Sequence, residues 1–230
     1  MECFSVNGQS LNVFTSPYIG ENMFVMVKNG QALAIDPNDS EDALDFLKKS
    51  GVQNVTIFLT HEHPDHTCGV PVLKQNFKTK LVCQQLCAEY IADKSNNRPI
   101  ILELILRFQD EKYGTNTADT YPYPKHEYVC RTDVDFENVL SYDWQSEHFA
   151  FYHTPGHSYG SCCIVWNDKA VFTGDSLLKD MPVITRFPGG STKQYNAITK
   201  PFLDSLPDNI TVLPGHGKIF AMKDLQEKTA

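Results

Sequence analysis

The run His61-Glu62-His63-Pro64-Asp65-His66 constrains this chain more than any other stretch. It crowds three imidazoles and the carboxylate of Asp65 into one short turn. Those are side chains that zinc and iron(II) accept at neutral pH, and a cluster this tight can serve two adjacent ions. The metalloprotease helix motif H-E-x-x-H does not describe it, because the residue four after His61 is Asp65. Residues 55–60 form a continuous apolar run of the kind found in strands buried on both faces. That run stops at His61, so the turn is expected at a strand end.

Other segments build a mixed α/β pattern around it. Residues 11–14, 23–27 and 32–35 read as short strands, with Asn29-Gly30 as a hairpin turn between the last two. Ser40 followed by Glu41 and Asp42 marks a helix start, and Gly51 its end. Helices are expected at 70–77 and 84–93, with a strand at 80–83. Strands follow at 139–142, 148–153, 162–166, 170–173 and 211–213, with a helix near 193–206. Residues 100–108 are apolar at helical spacing, and 114–124 is a turn-rich, tyrosine-rich stretch. Strand runs at both ends with interleaved helices predict two packed sheets covered by helices.

Composition excludes several classes. A formal charge of −8 argues against a nucleic-acid partner, which normally meets a basic face. No apolar run reaches the roughly 18 residues of a membrane span. The amino terminus lacks the basic and apolar regions of a secretory signal. Seven cysteines, an odd number without framework spacing, suit free thiols in a reducing cytoplasm.

Four segments, each directly after a predicted strand, carry metal-type ligands. They are the hexapeptide, Thr154-Pro155-Gly156-His157-Ser158, Thr173-Gly174-Asp175-Ser176 and Pro214-Gly215-His216-Gly217. Loops at one sheet edge converge, which is how such sites are built. Together they hold five histidines and two aspartates: three ligands for each of two ions and one carboxylate to bridge.

The order H-x-H-x-D-H, T-P-G-H-S, T-G-D-S and P-G-H-G resembles the metallo-β-lactamase-fold hydrolases over nearly the whole chain. The resemblance implies an α/β protein with the αββα four-layer sandwich. At 230 residues a single domain over 1–230 is expected. The excursion around 96–136, where the chain departs from the family, is expected to form a cap insertion over the cleft. The resemblance assigns His61, His63 and His157 to a first ion, Asp65, His66 and His216 to a second, and Asp175 as the bridge. The cofactors would be two divalent ions, zinc first, with iron(II) or manganese(II) as alternatives. A metal-bridging hydroxide would attack a carbonyl carbon, with Asp65 as the catalytic residue orienting it and shuttling its proton. Asp36, in Ile35-Asp36-Pro37, resembles the family's strand-end aspartate and reads as structural.

Within the family, the motifs are most similar to the glyoxalase II-type, hydroxyacylglutathione hydrolase-like branch. The function implied is cleavage of a small thioester or ester. Two departures stand out: the sequence ends fourteen residues after His216, and Ile184-Thr185-Arg186-Phe187 replaces the branch's G-R-x-D. The alternatives are a mononuclear-iron sulfur dioxygenase, a lactonase or β-lactam hydrolase, a phosphodiesterase, and a non-catalytic relative that keeps the site. The partner expected is a small molecule, with no membrane and no nucleic acid. His126, His148 and His153 read as surface or core histidines, and Cys68 as a small buried residue. Ser158 and Tyr159 read as supports for a ligand. Tyr113, Tyr121, Tyr123 and Tyr128 are candidate pocket walls, and Arg186 and Lys193 candidate anion contacts.

Overall fold

The computed structural model describes residues 1–6, 8–38, 40–121 and 127–228. Seven strands form the first sheet in chain order: β1 (Glu2–Val6), β2 (Gln9–Thr15), β3 (Asn22–Lys28), β4 (Gln31–Ile35), β5 (Asn54–Phe58), β6 (Lys78–Gln84) and β7 (Val134–Phe136). Pairing is antiparallel from β1 to β4 and parallel from β4 to β7. Asn29 and Gly30 both have positive φ, 53° and 71°, as a two-residue turn between β3 and β4 demands.

The second sheet runs β8 (Val139–Trp144), β9 (Glu147–His153), β10 (Cys162–Trp166), β11 (Ala170–Gly174), β12 (Thr211–Pro214) and β13 (Phe220–Ala221). Only β11 and β12 pair in parallel among these strands.

Side-chain alternation sorts each strand between layers. From β3 and β4, Phe24, Met26, Leu33 and Ile35 enter the core between the sheets, while Val25, Ala32 and Ala34 face outward. From β10, Ile164 and Trp166 join the same central core, while Cys163 and Val165 face outward. Phe58 joins the sheets at the centre, its ring edge-on to Tyr142, Phe149 and Phe151 at 4.8–5.3 Å.

The outer face of the first sheet is covered by α1 (Glu41–Lys49), α3 (Val70–Asn76) and α4 (Gln85–Ala92) through Leu47, Leu73, Cys87 and Ile91. The outer face of the second is covered through Leu203 by the helical segment 192–204, with a π-helical turn at Tyr195–Thr199. This is the αββα sandwich. Ser40 caps α1 as the sequence predicts, accepting from the Ala43 N–H at 3.2 Å.

Between α4 and β7 stand α5 (Pro99–Tyr113) and the short α6 (Thr117–Thr120), which takes up part of the stretch expected to be loop. The edge strands β1, β7 and β13 are additions to the predicted set. No helix among the described residues is long and apolar enough to cross a membrane.

Candidate metal centre

The four ligand-bearing segments leave strand ends on one rim of the sandwich. The hexapeptide follows β5 and opens α2 (Pro64–Thr67), with Pro64 at its first turn. His157 follows β9, Asp175 follows β11 and His216 follows β12. All seven predicted residues are brought together. His61, His63 and His157 form one group that could hold an ion, with His63 Nδ1 at 3.1 Å from His61 Nε2 and 2.9 Å from His157 Nε2. Asp65, His66 and His216 form another. There Asp65 Oδ2 lies 3.7 Å from His66 Nε2 and 3.3 Å from His216 Nε2. Asp175 stands between the groups, its Oδ2 at 3.6 Å from His157 Nε2 and 3.7 Å from His216 Nε2.

The outward nitrogens are tied down, which fixes the ring orientations. Thr60 donates its hydroxyl to Asp36 Oδ2 at 2.6 Å and its N–H to Oδ1 at 2.7 Å. Its oxygen then accepts from His61 Nδ1 at 3.1 Å, leaving Nε2 as the free donor atom of His61. His66 Nδ1 donates to Asp36 Oδ2 at 3.1 Å, and His157 Nδ1 to the Ile184 carbonyl at 2.8 Å. Asp36 thus holds the strand end and His66 together, more than the structural role its position suggests. A third grouping, Asp36 with His61 and His66, is also close enough for an ion. The Asp36 oxygens, however, are already occupied by Thr60 and by the outward edge of His66. Glu62 points away, accepting from the Gly160 N–H at 3.1 Å and so joining the hexapeptide to the His157 loop.

The two halves differ electrically. Burial drives His63 down to about 3, helped by neighbouring His157, and burial also lowers His61 and His157. Burial opposes charge on His66 too, but Asp65, Asp36 and Asp175 outweigh it and raise His66. For Asp65 burial pushes upward, yet His66, His216 and His63 hold its carboxyl well below the usual range. The first half therefore presents neutral imidazoles, the protonation state metals require.

The donor set fits divalent ions. His66 Nε2 and Asp175 Oδ1 are buried 3.5 Å apart, and neither has a hydrogen-bond partner. Unpartnered buried polar atoms are expensive, and a cation shared by the two removes that penalty. Gly215 makes room for the pair: a Cβ there would stand 2.6 Å from both Asp175 Oδ1 and His66 Cε1.

The remaining sequence candidates take ordinary roles. His148 pairs with Asp143 at 2.7 Å, and His153 contacts the Tyr159 carbonyl at 3.0 Å. Ser158 bonds Ser161, and Tyr128 bonds Thr67. The Cys68 thiol is buried against the Asp65 carbonyl, as a packing residue would be. Tyr121 packs edge-on to Tyr18. Lys193 is exposed, whereas Arg186 lines a cavity next to the centre. Tyr123, His126 and the side chain of Tyr113 lie outside the described residues.

The model of the metallo-beta-lactamase superfamily matches residues 19–216, a span that includes every candidate ligand. The chain belongs to that superfamily. Among curated relatives, a probable metallo-hydrolase from Streptococcus pyogenes serotype M6 is 25% identical, covering 86% of this chain and 79% of its own. A hydroxyacylglutathione hydrolase from Tolumonas auensis is 27% identical over 90% of this chain, which spans 65% of that enzyme's length. Among solved structures, BLEG-1 B3 metallo-β-lactamase superposes with a TM-score of 0.73 at 22% identity, covering 94% of this chain and 96% of its own. TTHA1623 in a di-iron-bound form gives 0.69 at 24% identity, covering 95% and 98%. These likenesses agree with the αββα architecture.

Proposed function

We propose that this metallo-β-lactamase-superfamily protein hydrolyses a small thioester or ester with the help of two divalent ions. His61, His63 and His157 would hold one ion, Asp65, His66 and His216 the other, and Asp175 both. One observation carries the reading. His63, Asp65, His157, Asp175 and His216 all open onto a single cavity of about 750 Å³, within the range of small-molecule sites. Bound ions, zinc or alternatively iron(II) or manganese(II), would supply an activated water and polarise a carbonyl oxygen at neutral pH.

The chain's own residues do the rest. Asp65, kept ionised by His66 and His216, can accept a proton at its carboxylate within reach of a substrate at the cavity floor. Thr60, Asp36 and the Ile184 carbonyl hold the imidazoles in register. The hydroxyacylglutathione hydrolase among the relatives supports a thioester as first choice. The charge of −8 disfavours a polyanionic substrate. Seven cysteines, none in a disulfide, suit a reducing cytoplasm.

Metal analysis of protein purified without added metal, followed by a panel of thioesters, esters and lactones, tests the reading. Chelator-sensitive thioester hydrolysis is the expected result. Iron with oxygen uptake and no hydrolysis would replace it with the sulfur dioxygenase.

A further inference from the structure

Helix α5 has two apolar faces. Leu102 and Leu106 are buried with Ala118, Tyr121 and Ile19, as the inner stripe of a surface helix should be. Ile101, Leu104, Ile105 and Phe108 recur at i, i+3, i+4 and i+7 and face a second cavity of about 930 Å³. Across it lies the segment 182–188. Leu104 and Phe108 are 58% and 49% exposed, an apolar stripe that calls for an occupant.

This cavity adjoins the metal centre. His63, Ile105, Pro182, Ile184 and Phe187 line both it and the 750 Å³ cavity. Phe187 stands at the junction, its ring centroid 5.8 Å from that of His63 and 5.7 Å from that of Phe108. Ile184 is fixed there by the bond from His157. Among the described residues no carboxylate lines the second cavity, whose polar walls are His63, Tyr90, Arg186 and two threonines. The first cavity is more polar, with Asn22, Gln109 and Lys218 among its walls.

We propose that the second cavity takes an apolar acyl arm, so that preferred substrates carry a medium-length alkyl or an aryl acyl chain. The carbonyl would lie at the His63 end and the polar leaving group in the first cavity. The assignment rests on the hydrolase reading for the term acyl, but the binding site can be tested without turnover. Octanoate and butanoate differ by four methylenes, and each buried methylene multiplies affinity by up to about fourfold.

Calorimetric titration of the full chain, as purified, should show octanoate binding at least about tenfold more tightly than butanoate. Leu104→Asp and, separately, Phe108→Asp should pull that ratio toward one. Both side chains are exposed enough for the substitutions to leave the core intact. Equal affinities in the wild type, or a preference for octanoate that survives both substitutions, would overturn the assignment. The hydrolase reading fails by a different result: no turnover of acyl thioesters of any length, with octanoate still bound selectively.

Discussion

Asp36 is not among the proposed ligands, yet its replacement should be felt at the candidate metal centre. Its carboxylate accepts from Thr60 N–H at 2.7 Å, from the Thr60 hydroxyl at 2.6 Å and from His66 Nδ1 at 3.1 Å. Asn is the informative substitution because it keeps the shape and tolerates the local φ of 49°. Its amide nitrogen cannot accept, so at least one of these donors faces another donor. Either His66 loses the contact that fixes its ring, or Thr60 loses part of the anchoring that sets its hold on His61. Outward partners of metal-bound histidines are worth about 10–100-fold in metal affinity. That factor corresponds to roughly 1.4–2.7 kcal/mol. Zinc competition against a chromophoric chelator, with circular dichroism to verify the fold, measures it directly. An Asp36→Asn protein that keeps zinc affinity within about twofold of wild type would refute the orienting role.

Asp65→Ala should lower kcat on a thioester by at least about a hundredfold while the fold persists, and near-wild-type hydrolysis would exclude its proton role. Gly215→Ala puts a methyl group 2.6 Å from Asp175 Oδ1 and His66 Cε1. The variant should lose metal from the Asp65–His66–His216 group, so unchanged metal content would argue against this packing account. Away from the site, buried Glu147 accepts from Lys28 at 2.9 Å, Trp166 at 3.1 Å and Asn167 at 2.7 Å. Burial works against its charge, but these partners prevail and hold its carboxyl below the ordinary value. A depressed carboxyl stabilises the fold above its unfolded pKa and loses that effect as pH falls through the folded value. Glu147→Gln should therefore cost about 1–3 kcal/mol at pH 7. The gap to wild type should begin to narrow only as pH falls below the ordinary glutamate value of about 4.3, and an equal penalty at neutral and strongly acid pH would show that charge is not the cause.

Much of this was legible because the ligands are short-range signals. The hexapeptide, and glycines beside His157, Asp175 and His216, mark turns after apolar runs, and those runs became β5, β9, β11 and β12. The central strands show because two-sided burial enforces apolar residues. The edge strand β1 does not, since Glu2, Cys3 and Ser5 face solvent and leave no continuous pattern. The sequence marks Asp36 only as a strand-end residue, because its partners Thr60 and His66 are brought to it by parallel pairing of β4 with β5. The Ile184 carbonyl was invisible for a plainer reason: any residue type has one. Helix α5 could be read from its spacing, but not its double face, which depends on where the 182–188 segment crosses.

Metal content of the protein purified without added metal tests the central claim most directly. About two ions per chain are expected, with thioester hydrolysis lost on chelation and regained on metal return. Fewer than about one ion per chain, or turnover indifferent to chelation, would contradict a dinuclear hydrolytic centre.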